Sequence, residues 1–371
     1  MTDKKIAWNL AEDIRSYISN PDAEQVEGLF LRIFEYQWRF NRTYRAYCDR
    51  RNLSPDNILR WQDIPPAPAA AFKRFELRCS PLEDAAIANG GITFDSSGTS
   101  QSETSRHYMD APALSVYRTS LRGGYRKYVL TDLESPEILA LMPTLTAESP
   151  FSSLSFMLEE LIHDYGGAFL TGMGWQEKLR NSLRGRTEPV VLFGTAFAFL
   201  HFFDFSDEQF SLPTGSRIVE TGGFKGKSRE VSREELYSLF TERLGVPATH
   251  CISEYGMSEL ASQYYESTFY DFTRDVSRVS RKVASPTLRT RIVNPVTNHD
   301  VAPGEAGLLV HYDVCNLNSV VAIQTEDMGI WADDKKDGFH LLGRAPGAVL
   351  RGCSLTAEEM ANALTNSRTA T

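Results

Sequence analysis

Small hydroxyl side chains crowd one short run of this chain, Ser96-Ser97-Gly98-Thr99-Ser100, within the Ser/Thr-rich segment from Thr93 to Arg106. Such a run suits a polyphosphate. Glycine lets backbone N–H groups turn toward phosphate oxygens, and small hydroxyls add donors without crowding. It is not a Walker loop, because no Gly-Lys-Ser/Thr follows. Read alone, it is more readily a solvated Ser/Thr-rich loop. Further along stand Glu254-Tyr255-Gly256-Met257-Ser258-Glu259, then Thr325-Glu326-Asp327, then Gly343-Arg344. A carboxylate such as Glu259 is a hard ligand suited to Mg²⁺. Asp327 alone reads as readily as an exposed turn residue, and Glu259 as a solvated helix face. Together, the pieces suit a bound polyphosphate, whose charge a divalent cation and aligned donors must neutralise.

The elements that would carry these residues alternate. The stretch from Leu10 to Tyr47 reads as helical, with Leu29, Leu31, Ile33, Phe34 and Trp38 at three- and four-residue steps. Asp63-Ile64-Pro65-Pro66-Ala67-Pro68 reads as a rigid connector. Strands are expected over residues 136–142, 189–194 and 216–220, and helices over 152–165 and 196–203. A further helix has Ser232 as N-cap, Glu235 completing a capping box and Gly245 as its stop. Strand and helix in alternation imply right-handed βαβ units and a mostly parallel sheet. From about Pro286 the pattern changes to short strands over 287–293, 307–312, 320–324 and 338–342, which suggests an antiparallel or barrel-like section.

A net charge of −9 over 371 residues argues against general binding to nucleic acid or anionic membranes, both of which need surplus Lys and Arg. No apolar run reaches membrane-span length, and the N-terminal residues lack the apolar core of a signal peptide. The five cysteines are far apart and form no CxxC pair, so neither a disulfide framework nor a structural zinc site is expected. The setting these features suggest is the cytoplasm. The histidines show no metal spacing. His107 is placed where it could approach the acyl or phosphate site.

In order and spacing, the set resembles the adenylate-forming superfamily of acyl-CoA ligases and acyl-protein synthetases over roughly residues 65–355. Within it, Leu192-Phe193-Gly194-Thr195, Thr221-Gly222-Gly223-Phe224-Lys225-Gly226 and Arg351-Gly352-Cys353-Ser354-Leu355 point to the LuxE-type acyl-protein synthetases, with phenylacetate-CoA ligase next. The resemblance implies ATP and Mg²⁺. Ser96, Ser97, Gly98, Thr99 and Ser100 would hold the β- and γ-phosphates, and Gly222 and Gly223 would pass close to the adenine. Tyr255 and Gly256 would flank the adenine and acyl site. Ser258 would contact the α-phosphate, Glu259 would hold the metal, and Asp327, supported by Arg344, would accept the ribose hydroxyls. Cys353 would carry the acyl group. It lies between Arg351 and a short predicted helix opened by Thr356, both of which favour thiolate.

The chain also departs from the superfamily's pattern. Gln101 replaces the usual loop glycine and no lysine follows, leaving Arg106 as the nearest cation. Ala345-Pro346-Gly347 stands where a hinge Asp or Lys usually leads into a mobile C-terminal domain.

The expectation is an α/β protein. It is the large domain of an adenylate-forming enzyme, with parallel α/β subdomains and a small β-rich section, lacking most of the usual C-terminal domain. The expected divisions are a helical extension (residues 1–64), a nucleotide- and acyl-binding body (65–285), a β-rich section (286–345) and a short tail (346–371). The expected function is ATP-dependent activation of a carboxylic acid, a fatty acid by resemblance, to acyl-AMP, then transfer to a protein thiol as a thioester. An acyl-CoA reductase is the acceptor partner that the resemblance implies. A truncated acyl- or aryl-CoA ligase and a non-catalytic nucleotide-binding scaffold are the alternatives.

Overall fold

The computed structural model of the chain describes residues 3–96, 104–144, 152–222 and 231–346. Ser97, Gly98, Thr99, Ser100, Gly223 and Cys353 lie outside the described residues. The helical N-terminal stretch is three helices rather than one: α1 (Asp3–Ser19), α2 (Ala23–Phe40) and α3 (Arg42–Arg50). The breaks fall at capping residues. Asp22 accepts from the Glu24 N–H, and Asn41 both closes α2 and accepts from the Tyr44 N–H to open α3. The Pro-rich connector is also more than a spacer. Its Ala67–Pro68 segment, β1, pairs in parallel with a strand of the main sheet, Ala67 beside Ile323. After it come the short helix α4 (Ala71–Arg74) and a two-stranded antiparallel hairpin, β2 (Ile92–Asp95) and β3 (Arg106–Met109), whose connection is the hydroxyl-rich run.

From there the chain alternates as expected: α5 (Ala111–Tyr128), β4 (Glu137–Leu141), α6 (Ser153–Tyr165), β5 (Gly167–Phe169), α7 (Trp175–Leu183), β6 (Val190–Thr195), α8 (Ala196–Phe205), β7 (Arg217–Thr221), α9 (Arg233–Leu244) and β8 (Cys251–Tyr255). Strands β5, β4, β6, β7 and β8 pair in parallel in that spatial order. Their alternation fills two cores. Val191, Phe193, Val219 and Ile252 face α5 and α6, while Leu192, Ile218 and Cys251 face α7, α8 and α9. A strand covered on both faces reads as a continuous apolar run, which is why β4 and β6 are visible in the sequence.

The remainder is β9 (Tyr264–Glu266), α10 (Thr268–Phe272), β10 (Lys282–Ala284) and the strands β11 (Leu288–Val293), β12 (Gly307–Asp313), β13 (Ala322–Trp331) and β14 (Phe339–Arg344). Strands β11 to β14 form an antiparallel meander, as the change of pattern implies. They do not close into a barrel. Through β14, β10 and β9 the meander continues into the parallel strands as one 12-stranded sheet. Among the described residues, no helix is long and apolar enough to cross a membrane.

Candidate active site

The two strands that end at the site are β7 and β8, parallel neighbours in which Thr221 faces Glu254. In open α/β sheets the carboxyl ends of such strands form the ligand crevice. Gly222 follows β7 directly with φ 72°, a left-handed backbone that favours glycine. After β8 the chain turns through Gly256-Met257-Ser258-Glu259, closed by the Leu260 N–H donating to the Met257 carbonyl at 3.0 Å.

This turn is fastened to the hydroxyl-rich hairpin at two consecutive residues. Ser105 Oγ donates to Glu259 Oε1 at 2.6 Å, and His107 Nδ1 lies 2.8 Å from the Ser258 carbonyl oxygen. The hairpin is itself closed at its mouth. The Ser96 N–H donates to the Ser105 carbonyl at 2.9 Å, and the Ser105 N–H donates to Ser96 Oγ at 3.0 Å. Glu259 is therefore no solvated helix face; it is buried. Burial pushes its carboxyl above the usual range, and Ser105, Lys73 and Arg344 draw it back down. His107 is fully enclosed, with Nε2 taking the Ser319 hydroxyl at 3.1 Å and Phe72 edge-on to its ring. Burial lowers its pKa to about 4, so it is neutral, with Nδ1–H donating to Ser258. It braces the site rather than approaching a ligand. Arg106, beside Asp95 in the hairpin register, is exposed.

The other end of the site gathers Tyr255, Asp327 and Arg344. Tyr255 is buried and its hydroxyl donates to Asp327 Oδ2 at 2.8 Å. Asp327 faces Arg344 across the β13–β14 register, with Nε 3.6 Å from Oδ1. Glu326 also pairs with Arg344. Thr325 shapes the backbone here: its hydroxyl accepts from the Asp327 N–H at 3.0 Å and donates to the Leu309 carbonyl at 2.9 Å. Behind Tyr255, neutral His311 lies 3.4 Å from the Tyr255 hydroxyl and 2.8 Å from that of Tyr264, which in turn meets Thr290 at 2.8 Å. With Tyr255 donating to Asp327, the consistent sense of this chain is Thr290 to Tyr264 to His311 to Tyr255 to Asp327. Each bond polarises the next.

The sequence did not single out the residues that hold the turn from behind. The connection from β12 to β13 runs through Asp313, Asn316, Asn318 and Ser319, all buried. Asp313 and Asn316 accept from the Ala261 N–H at 3.0 and 2.8 Å, and Asn316 Nδ2 donates to the Glu259 carbonyl at 2.9 Å. From α2, Gln37 donates to the Asn316 carbonyl and accepts from the Val321 N–H, both at 2.7 Å. Asn41 donates to the Ser319 carbonyl at 3.0 Å. A density of Asp, Asn and Ser inside an otherwise apolar segment was the available signal.

The site's donor set fits a divalent ion of one kind. Among the described residues, no three His, Cys, Asp or Glu side chains cluster as a metal site. Glu259 is an enclosed carboxylate beside the hairpin, with no cation bonded to it among the described residues. That matches Mg²⁺, which typically takes one or two protein carboxylates and completes its shell with phosphate oxygens and water.

The profile of the LuxE acyl-protein synthetases matches residues 169–365. The chain belongs to the LuxE acyl-protein synthetase family. Among LuxE relatives, it is 24% identical to the long-chain-fatty-acid–luciferin-component ligase of Aliivibrio fischeri over 358 residues, covering 91% of this chain and 88% of that protein. It is 23% identical to the protein of the same name in Vibrio harveyi over 342 residues, covering 87% and 84%. Its fold is that of the adenylate-forming ligases. A 2-hydroxyisobutyryl-CoA ligase solved with 2-HIB-AMP superposes with a TM-score of 0.65 at 12% identity, covering 88% of this LuxE chain and 69% of the ligase.

Proposed function

We propose that this protein is an ATP-dependent acyl-protein synthetase that activates a fatty acid. A carboxylate oxygen of the acid attacks the α-phosphorus of ATP, the bond to pyrophosphate breaks, and acyl-AMP forms. A thiolate then attacks the acyl carbon, AMP leaves, and the acyl group is held as a thioester. The observation that supports this reading is the joint between hairpin and turn. Ser105–Glu259 and His107–Ser258 fasten the β3 side of the hairpin to the turn that carries the enclosed carboxylate Glu259. Ser96 to Ser100 and Arg106 would take the phosphates, and Ser258 would meet the α-phosphate. Gly222, Gly223, Tyr255 and Gly256 would border the adenine and acyl group. Asp327 and Arg344 would hold the ribose. Mg²⁺, held by Glu259, would supply charge neutralisation at the phosphates.

For the acyl carrier we assign Cys353. Cys48, Cys79, Cys251 and Cys315 are all buried, and burial pushes each thiol well up, so none is a nucleophile. Their free thiols suit a cytoplasmic setting. An acyl-CoA reductase would consume the thioester.

The test is pyrophosphate exchange into ATP across a panel of carboxylic acids, followed by mass spectrometry for acyl-Cys353. Exchange with long-chain acids and a thioester lost in Cys353→Ser is the expected result. Acyl transfer to coenzyme A undiminished by Cys353→Ser would instead make the protein a CoA ligase. ATP binding without exchange on any acid would make it a scaffold.

A further inference from the structure

One carboxyl oxygen near the site has no partner among the described residues. Glu254 is the penultimate residue of β8 and is buried. Its Oε2 accepts from the hydroxyl of Thr221, its register partner at the end of β7. Its Oε1 makes no hydrogen bond among the described residues. Oε1 curls over the next turn, where a Cβ built on Gly256 would lie 2.6 Å from it. It therefore fills the space that a side chain at 256 would take, between the strand ends Thr221–Gly222 and Tyr255–Gly256.

The groups around this carboxyl are few. Strand β7 presents Thr221 and Glu220, β10 presents Lys282, and β9 presents Tyr265, across the register from Glu254. Helix α5 presents Tyr117, whose hydroxyl is used by the Ser153 carbonyl at 3.2 Å. Lys282 is committed to the Ser253 carbonyl at 2.7 Å. Among the described residues, no cation is bonded to Glu254. Burial pushes its carboxyl up to about 7, with Thr221 and Lys282 drawing it down and Glu220 raising it further. Both substrates are anionic, and an ionised carboxylate at this place would repel them. A protonated one is a hydrogen-bond donor over the turn at Gly256.

We propose that Glu254 is a substrate-binding residue of the acyl site. In its protonated form it donates from the oxygen above Gly256 to the carboxylate of the incoming acid, and in its ionised form it repels that carboxylate. The proposal rests on the acid-activating reading above.

The test compares wild type, Glu254→Gln and Thr221→Val in ATP–pyrophosphate exchange with hexadecanoic acid between about pH 6 and 9. In the wild type the KM for the acid rises about tenfold per pH unit once the carboxyl ionises, with kcat much less affected. Glu254→Gln keeps a neutral donor, and its KM stays flat. Thr221→Val loses the hydroxyl that favours the charged form, so its rise starts at higher pH. A KM that climbs in Glu254→Gln in parallel with wild type overturns the inference and leaves the acid-activating reading standing. Absence of exchange in the wild type overturns that reading, and the substrate contact with it.

A second readout needs no substrate. The folded pKa of Glu254 lies above its ordinary value of 4.5, so its contribution to stability is full below about pH 4.5 and is lost by about pH 7. Wild type should lose thermal stability relative to Glu254→Gln across that window and hold a constant difference above it. A difference that does not change with pH refutes a buried, protonated Glu254.

Discussion

At one end of the site, Ser258 and Glu259 are gripped from three sides. The hairpin holds them through Ser105 and His107, the β12–β13 connection through Asn316, and α2 reaches the same connection through Gln37 and Asn41. At the other end, Tyr255 and Asp327 are fixed, but Arg344 reaches them from a side chain 73% exposed to solvent. The enclosed end would meet the reacting phosphorus and the metal, where a small displacement is costly. The open end would meet the ribose, which does not react and which must enter and leave. Rigidity is thus concentrated where charge would change during the reaction.

Four substitutions grade this contrast. Glu259→Ala removes the enclosed carboxylate and should lower pyrophosphate exchange by about a thousandfold or more, with a weakened response to added Mg²⁺. His107→Ala frees the Ser258 carbonyl and leaves a polar cavity. It should cost about a hundredfold in kcat and about 2–3 kcal/mol in denaturant unfolding. Asp327→Asn keeps an acceptor for Tyr255 but loses the charge, and should raise the KM for ATP about tenfold with kcat nearly unchanged. Arg344→Ala breaks only solvated ion pairs, to Asp327 and Glu326, so its effect should be about two- to threefold and fade with added salt. If Arg344→Ala proved as damaging as His107→Ala, the open end would be as rigidly built as the enclosed one, and the comparison would fail.

Much of the scaffold is legible in the sequence because its causes are local. The strands β4 and β6 show as apolar runs, and α9 shows through Ser232, which caps it by accepting from the Glu235 N–H at 3.1 Å, and Gly245, which ends it at φ 70°. Glu259, Asp327 and Tyr255 are legible as motif members. Their supports are not. His107 meets Ser258 across 151 positions and Gln37 meets Asn316 across 279, and no periodicity encodes such pairs. The sequence also misreads the start. Asn41 and Asp22 are ordinary capping residues within a helical stretch, yet they divide it into three helices. Pro68 suggests a linker, although Ala67 and Pro68 lie beside Ile323 and Gln324 as a strand. Proline is tolerated there because a two-residue strand needs few ladder bonds.

The grip of Gln37 and Asn41 gives the first fifty residues a duty unlike that of an appendage. A shortened protein beginning near residue 65 would keep every residue proposed to touch a ligand. It would also strip the partners from the carbonyls of Asn316 and Ser319 and from the Val321 N–H, directly behind the loop that seats Glu259. Any effort to trim this enzyme at residue 65 would therefore yield a chain that slackens first around the turn bearing Ser258 and Glu259.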